Sequence, residues 1–374
     1  MDVVCPQCNA TYRIPDHRLP AQKAVLTCKR CNYRIPVHPL ASGIKAAGDA
    51  ASSQAQSGKG ISGTPRQAIA NEILETYPPI ASYDARKYRF DQIIKPNKRG
   101  KFKTNLNKLK IKLLEVTQPI VDRLLDGDEH VVGVAAGLGY YPLELIFGNG
   151  LLTMLYNRFV LVATNRRLVA VNTNYRLTKP THYLFQFPYA EMKKVSKGLF
   201  GTSLTLTRKY GKKRIFTGIN RSLAGEMKSW LSDQINPEQV VVPATCLQDN
   251  LCPACLTALP IKLTACPRCR VPFKTPKNAS LRSLLLPGWG DMYLGHRVLG
   301  CFELLGALII WCFAMSLILQ DQLEGAAIGV MLLLFFNGMD ALLTLHMAKK
   351  GYILAKKQPE RNIQKNTAAT ASAA

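Results

Sequence analysis

The chain has 374 residues, of which 49 are Lys or Arg and 24 are Asp or Glu, giving a formal net charge of +25. This length allows two or three domains, and the positive charge favours an anionic partner, either nucleic acid or an anionic membrane surface. The first residues, MDVVCPQC, lack the charged and apolar regions of a cleavable signal peptide, so none is expected. The soluble part is therefore expected in a reducing compartment, the cytosol.

Eight of the eleven cysteines form four C-x-x-C pairs, which are arranged in two couples. The pairs are Cys5 and Cys8 with Cys28 and Cys31, and Cys252 and Cys255 with Cys266 and Cys269. This spacing is typical of tetrahedral zinc sites, in which each pair supplies two thiolates. Because four thiolates leave no open position on the ion, the sequence predicts two structural Zn²⁺ sites rather than catalytic ones.

Other chemistry is less consistent with these pairs. Haem attachment needs a His after the pair, where Asn9 and Asn32 stand instead, and a thioredoxin-type site needs a βαβ unit, which is not found around Cys5. In the second couple, Leu256 and Arg270 occupy turn positions that Gly or Asn would adopt more easily. Zinc is the preferred interpretation there too, with degenerate redox chemistry as the alternative.

The sequence predicts a multidomain α+β membrane protein that contains a zinc ribbon, a curved β-sheet with a capping helix, a second zinc ribbon and a transmembrane helical hairpin. Changes in composition and periodicity give the boundaries. The predicted segments are an N-terminal zinc ribbon (1–39), a flexible linker (40–70), a basic helical segment (71–119), a middle domain (120–240), a second zinc ribbon (246–275), a two-span membrane domain (281–355) and a disordered tail (356–374).

Hydrophobic patterning in the middle of the chain predicts a helix, several strands and a closing helix. Leucines at 106, 109, 113 and 114 indicate the first helix, which Pro119 is expected to interrupt or restart. The glycine-rich residues 131–155 are predicted as buried strands and turns rather than as a membrane span, because glycines, Pro142 and Glu144 break the run. Strands are predicted at 159–163, 168–171, 183–187, 203–207 and 214–217, and the closing helix at 222–235.

Two apolar runs near the C-terminus have the length of membrane-spanning helices. Residues 300–320 and 326–348 are runs of 21 and 23 residues, close to the ~20 that cross a bilayer. The sequence flanking the two runs is basic, whereas the short linker between them carries two acids and no base. The positive-inside rule therefore predicts a two-pass protein with both termini in the cytosol.

Two sets of polar residues are candidate binding or assembly sites. Asn337 and Asp340 lie deep in the second run and are expected to hold helices together, with a proton or substrate role as the alternative. Glu303 and His346 lie nearer the ends of the runs and are expected to reach the interface. A basic surface is predicted to attract anionic headgroups, with simple solvation as the alternative. Its residues are Lys193, Lys194, Lys197, Arg208, Lys209, Lys212, Lys213 and Arg214.

Residues 3–38 resemble the zinc ribbon found at the N-terminus of many bacterial proteins. The CPQC pair is followed by Tyr12-Arg13-Ile14-Pro15, and the CKRC pair by an aromatic-x-hydrophobic stretch that begins at Tyr33. The resemblance implies that Cys5, Cys8, Cys28 and Cys31 bind the metal, and it implies no activity. It also implies a bacterial protein, for which the cytoplasmic membrane is the inner membrane.

Two further resemblances concern the middle and the end of the chain. Residues 120–235 resemble a bacterial pleckstrin-homology-like (GRAM-like) domain, through Leu124–Glu129, the Thr164-Asn165-Arg166-Arg167-Leu168 turn and the helix that ends at Trp230-Leu231. This resemblance implies a curved sheet of seven strands capped by a helix. Residues 284–353 distantly resemble two-helix membrane domains that begin with a Pro-Gly turn, here Pro287-Gly288, and carry an Asp in the second helix, here Asp340.

The sequence as a whole favours a membrane-anchored, zinc-binding adaptor or regulatory protein that presents cytosolic modules to proteins or lipids. It shows no nucleophile–base pair, phosphate loop or paired carboxylates, so we expect no enzymatic activity. One alternative is a nucleic-acid-binding zinc-ribbon protein tethered to the membrane. Another is a small component of a membrane transport complex.

Overall fold

The computed structural model divides the chain into two units, Met1–Ser62 and Gly63–Ala374. The structure describes residues 2–4, 11–13, 24–27, 34–37, 65–97, 99–142, 144, 154, 156–209, 213–235, 249–260, 263–320 and 322–355. The predicted linker at 40–70 and the predicted tail at 356–374 therefore lie almost wholly outside the described residues.

In the first unit, four short strands form two antiparallel pairs. Strand β1 (Asp2–Val4) pairs with β2 (Thr11–Arg13), and β3 (Ala24–Thr27) pairs with β4 (Arg34–Val37). Each pair of strands flanks one C-x-x-C pair in the sequence, as a zinc ribbon requires. The cysteines themselves, Cys5, Cys8, Cys28 and Cys31, lie outside the described residues.

The second unit begins with three helices, α1 (Pro65–Thr76), α2 (Phe90–Ile93) and α3 (Asn105–Leu124). Helix α3 starts where Thr104 accepts a hydrogen bond of 3.1 Å from the backbone N–H of Asn107, a standard N-terminal cap. The expected break at Pro119 is absent, since α3 continues to Leu124. Pro119 is exposed, so the carbonyl that loses its helical partner can be hydrated.

A curled antiparallel half-barrel follows these helices. Its strands are β5 (Val131–Gly139), β6 (Arg158–Thr164), β7 (Arg167–Thr173), β8 (Pro180–Pro188), β9 (Met192–Lys197), β10 (Leu204–Arg208) and β11 (Arg214–Thr217). They lie in the order β8-β7-β6-β5-β11-β10-β9. Helix α4 (Arg221–Gln234) then packs on the sheet through four buried residues, Leu223, Ala224, Met227 and Leu231.

The glycines of the ambiguous 131–155 stretch have a packing role in β5. A Cβ atom at Gly137 would lie 2.8 Å from Ile219, and one at Gly139 would lie 2.8 Å from Phe159. Both distances are shorter than carbon atoms tolerate, so only glycine lets these side chains pack against the strand. The strand prediction is confirmed for Val131–Gly139, and residues 145–153 lie outside the described part of the chain.

The chain ends in two short strands and four helices. Strands β12 (Asn250–Leu251) and β13 (Ala258–Leu259) extend the sheet beyond β8. The helices are α5 (Pro276–Leu285), α6 (Trp289–Leu294), α7 (Arg297–Leu319) and α8 (Leu323–Ala348). Helices α7 and α8 are long and apolar enough to cross a membrane, with mean hydropathies of 2.2 and 1.9.

Candidate functional site

The second cysteine couple forms a compact cluster of four sulfur atoms. The ligand atoms of Cys252, Cys255, Cys266 and Cys269 lie within 4.8 Å of one another. Two Sγ–Sγ distances are 3.7 Å, for Cys252 and Cys269, and 3.5 Å, for Cys255 and Cys266. Zn–S bonds of ~2.3 Å in a tetrahedron put sulfur atoms about 3.8 Å apart, so the cluster fits Zn²⁺ and is too open for disulfides.

The backbone around each pair has the same conformation. The N–H of Leu256 donates to the carbonyl of Cys252, and the N–H of Arg270 donates to the carbonyl of Cys266, both at 2.9 Å. Leu256 and Arg270 have φ angles of 61° and 57°, in the left-handed region that favours glycine. Both residues stand at turn positions that Gly or Asn would adopt more easily. They adopt the left-handed conformation despite the strain.

The cluster is a closed site. Cys252 and Cys266 are buried, and Cys255 and Cys269 are half-buried. Burial raises the pKa of the Cys252 thiol well above its ordinary value and that of Cys269 to about 11. A cation at the centre would supply the charge that stabilises thiolates here. Four thiolates around one ion leave no position for a substrate, so this arrangement supports folding rather than catalysis.

The ribbon around the cluster is held from the sheet side. The N–H of Gln186 in β8 donates to the carbonyl of Asp249 at 2.7 Å, just before β12. Arg123, at the end of α3, donates to the carbonyl of Ala254 at 2.6 Å. Leu256 packs into the apolar core that the sheet shares with α3. The ribbon is therefore built onto the edge of the half-barrel.

The same ribbon is also held by the chain that follows α8. The N–H of Lys274 donates to the carbonyl of Ile353 at 2.9 Å, and the N–H of Ala355 donates to the carbonyl of Pro272 at 3.0 Å. The rings of Phe273 and Tyr352 lie 4.5 Å apart. The four-cysteine ribbon thus joins the half-barrel to the end of the helical hairpin.

A buried ion pair makes a second connection between the sheet and the hairpin. Lys350, just after α8, contacts the carboxylate of Glu144 and donates to the side-chain oxygen of Asn157 at 2.8 Å. His346 lies 3.8 Å from Glu144. Burial lowers the pKa of Lys350 to about 8, against the opposing effect of the Glu144 carboxylate. Glu144 was noted in the sequence only as a residue that interrupts an apolar run.

The described residues of the predicted basic surface lie on β9 and around the β10–β11 turn. Lys193 and Lys194 are exposed on the edge strand β9, where Lys194 pairs with Thr207, and Lys197 pairs with Leu204 further along β10. Lys209, Lys213 and Arg214 flank the β10–β11 turn, and Lys212 lies outside the described residues.

Arg208 does not belong to that surface, which corrects the sequence prediction. Its guanidinium is buried between the carboxylates of Glu191 and Asp249. Burial raises the pKa of both carboxyls, and Arg208 opposes that shift. Arg208 is in phase with the buried Leu204 and Leu206 along β10, and this period of two is the signal that it faces inward.

The polar residues of α8 contact the segment between the ribbon and α7. The backbone N–H of Gly288 donates to Asp340 at 2.8 Å, and the side-chain amide of Asn337 donates to the carbonyl of Leu284 at 3.3 Å. Glu303 does not extend to the helix end as expected. Its carboxylate lies within 4.8 Å of those of Asp291 and Asp340, a group of three acids.

One exposed apolar feature had no signal in the sequence analysis. Leu199 and Phe200, at the tip of the β9–β10 hairpin, are 95% and 79% exposed. Lys197 lies at the base of this tip, and a Cβ atom placed on Gly201 within it would lie 3.4 Å from the side chain of Arg221. The sequence GLFG could have suggested the tip, since two large apolar residues between glycines cannot be part of a strand interior.

Comparison with known proteins adds one match. Residues 1–36 match a zinc-ribbon domain, which covers the first cysteine couple. No curated protein matches the chain. The chain therefore contains an N-terminal zinc-ribbon domain and a separate four-cysteine cluster, and both are consistent with zinc binding.

Proposed function

We propose that the chain is a membrane-anchored, zinc-binding adaptor without enzymatic activity. The observation that carries the proposal is the position of the second four-cysteine ribbon, which is bonded to β8 on one side and to residues 353–355 on the other. A closed metal site between the half-barrel sheet and the two apolar helices is suited to holding the sheet in a fixed position relative to the helices. A catalytic metal would need an open position.

Anchoring follows from helices α7 and α8. Most of their large apolar side chains are exposed, including Phe302, Ile309 and Leu334 at 59%, 62% and 66%. Exposed apolar surface of this extent is unfavourable in water and is favourable in contact with the hydrocarbon core of a bilayer. We infer a two-pass hairpin in a bacterial inner membrane with both termini in the cytosol, supported by the basic flanks.

The soluble part has features suited to recognition. Seven strands, β5 to β11, and the closing helix α4 agree with a pleckstrin-homology-like module. Leu199 and Phe200 at the β9–β10 tip give it an apolar contact of the kind that protein partners cover. Lys209, Lys213 and Arg214 provide charge for anionic headgroups, at about 1 kcal/mol per basic residue near a membrane surface.

Membrane fractionation tests the anchor. The full chain is expected to remain with membranes after alkaline carbonate washing and to be released only by detergent. Recovery in the soluble fraction after lysis without detergent would overturn the proposal.

Affinity purification from detergent-solubilised membranes tests the adaptor role. We expect a stoichiometric protein partner that a Leu199→Ser/Phe200→Ser variant or a variant without residues 1–70 no longer retains. Lys228→Ser, an exposed change on α4, is the matched control and should retain it. Salt-sensitive retention of nucleic acid instead of protein would favour the nucleic-acid alternative.

A further inference from the structure

The segment before the first apolar helix carries large apolar side chains that nothing in the described chain covers. In α5 and at the start of α6, the exposed fractions are 52% for Leu281, 52% for Leu284, 66% for Leu285, 39% for Leu286 and 44% for Trp289. These fractions match those of the residues on α7 and α8. A ten-residue helix at a protein surface in water would expose polar residues there instead.

The packing of α5 gives its depth relative to α8. Ser283 and Thr344 share a hydrogen bond of 2.9 Å, whereas the carbonyl of Leu284 is bonded by Asn337, further from the end of α8. Helix α5 therefore runs antiparallel to α8. It starts beside the C-terminal end of α8 and ends nearer the middle of α8. At 1.5 Å per residue, Asp340 lies roughly 12 Å along α8 from Ala348. The turn after α5 lies level with Asp340 on α8 and with Gly300, the fourth residue of α7, against which Gly288 packs.

After the turn, the chain runs back along α8 towards the half-barrel. Helix α6 contacts Thr344 again through Asp291, at 3.3 Å, and α7 begins where the N–H of Leu299 donates to the phenol of Tyr156 in the half-barrel, at 3.0 Å. The segment thus enters beside α8, turns, and leaves at the level of the soluble sheet.

The turn itself fits an apolar surrounding. Gly288 has a φ of 79°, and a Cβ atom there would lie 2.1 Å from the carbonyl oxygen of Gly300, so the two backbones touch. In hydrocarbon, a non-helical backbone must have its polar groups bonded within the protein. Asp340 accepts the Gly288 N–H, and the side-chain amide of Asn337 donates to the Leu284 carbonyl, which gives Asn337 and Asp340 a role in the turn.

The charged residue Arg282 of the segment stacks on two aromatic rings of α6. Its guanidinium lies 4.3 Å from the ring centroid of Tyr293, near the end of α6, and 5.5 Å from that of Trp289, at its start. Lys274, which precedes α5, lies over the Tyr293 ring at 5.4 Å. A long basic side chain whose charge lies against aromatic rings in this way can be accommodated on a helix that enters a bilayer.

We propose that α5 and α6 form a re-entrant hairpin, which enters the same leaflet as the ends of α7 and α8 and contacts lipid acyl chains through Leu281, Leu284, Leu285, Leu286 and Trp289. The inference rests on the proposed membrane anchor. The occupant is lipid because the apolar patch is continuous with that of the two long helices and ends at the level of the half-barrel. The membrane domain then has three embedded parts instead of two spans alone.

The three tryptophans of the chain allow a direct test. Single-tryptophan variants that keep Trp230, Trp289 or Trp311 are made by changing the other two to Phe. The full chain is reconstituted into phosphatidylcholine vesicles with or without bromine atoms on the acyl chains. Trp230 lies on the soluble helix α4 and Trp311 lies within α7, so they are the negative and positive controls.

The inference predicts that brominated lipid quenches Trp289 at least as much as Trp311 when bromine is near the headgroup end of the chain. It predicts less quenching of Trp289 than of Trp311 when bromine is near the chain terminus. Quenching of Trp311 without Trp289 would overturn the re-entrant hairpin and leave the anchor intact. Unquenched fluorescence of both would overturn the anchor as well.

The role of Asp340 is tested in the variant that keeps only Trp289. Asp340→Asn retains an oxygen that accepts the Gly288 N–H and should keep the quenching. Asp340→Leu leaves that N–H without its acceptor, so quenching of Trp289 by the shallow bromine should fall. Equal quenching in both variants would contradict the capping of the turn by Asp340.

Discussion

The phenol of Tyr183 donates a hydrogen bond of 3.0 Å to the backbone carbonyl of Met347, which lies 164 positions further along the chain. Tyr183 is on strand β8 and Met347 is in the last turn of α8. The same strand is bonded to the residue before β12. The half-barrel, the four-cysteine ribbon and the long helices therefore meet at one strand.

This junction predicts the effect of removing one oxygen. Tyr183→Phe should lower the free energy of unfolding of the detergent-solubilised protein by about 1 kcal/mol, the usual net contribution of one buried hydrogen bond. Tyr175→Phe, at an exposed tyrosine, is the control and should change it by less than about 0.5 kcal/mol. Equal effects in urea unfolding would mean that the Tyr183 bond does not contribute.

The left-handed conformation of Arg270 predicts a stabilising change. Arg270→Gly should stabilise the zinc-bound ribbon by about 1 kcal/mol, because glycine adopts a φ of 57° without the strain of a Cβ atom. Arg270→Val should be destabilising by a similar or larger amount. Zinc release to a competing chelator, followed at equilibrium, measures both. A valine variant as stable as the glycine variant would show that the strain is not present.

The buried ion pairs of Arg208 predict a large loss. Arg208→Met removes the arginine from the carboxylate of Glu191 and leaves Asp249 with only Arg214 among the described residues, 4.0 Å away, so it should lower the free energy of unfolding by about 3–5 kcal/mol. Lys193→Met, on the exposed side of β9, should change it by no more than about 0.5 kcal/mol. Urea unfolding followed by Trp230 fluorescence compares them. If the two variants unfold alike, Arg208 does not hold the core of the sheet.

Lys350 predicts a pH dependence. Its pKa is about 8 in the folded protein, below the ordinary 10.5, so the unfolded chain binds more protons between these values. Stability should therefore rise with pH from about 8, by up to on the order of 3 kcal/mol if the whole range could be used. Below pH 8 the free-energy cost of burying the charged Lys350 side chain is fully present.

Thermal unfolding in detergent between pH 7.5 and pH 9.5, roughly within this window, measures the effect. The Lys350→Met/Glu144→Gln variant removes both charges and should lose most of the rise, whereas the wild-type protein retains it. Both proteins share the other titrating groups, so the difference between them isolates the pair. Parallel curves for the two proteins would contradict a depressed Lys350 pKa.

Local patterns in the sequence were sufficient to predict much of this fold. The short apolar stretches on either side of the 164–167 turn predicted β6 and β7, and the two long apolar runs predicted α7 and α8 to within a few residues. The cysteine spacing indicated the metal ligands of the second ribbon, and the left-handed positions Leu256 and Arg270 were already visible as exceptions. These features depend on neighbours in the chain.

Features that depend on distant partners could not be predicted. The ion pair of Arg208 with Asp249 joins residues 41 positions apart, and the role of Glu144 depends on Lys350. Asp340 could be identified as a costly polar residue, but the bond that it accepts from the backbone N–H of Gly288, 52 positions away, could not be predicted. The leucines of α5 fall at the start of the predicted membrane domain (281–355), but their exposure depends on how α5 packs against α8.

We propose that the second cysteine couple is a closed zinc site joining the half-barrel to the helices. X-ray absorption at the zinc edge is the direct test, on the full chain purified from membranes with Cys5, Cys8, Cys28 and Cys31 changed to Ser. We expect one zinc ion per chain with four sulfur neighbours at ~2.3 Å. Absence of zinc, or a nitrogen or oxygen neighbour in place of one sulfur, would contradict it.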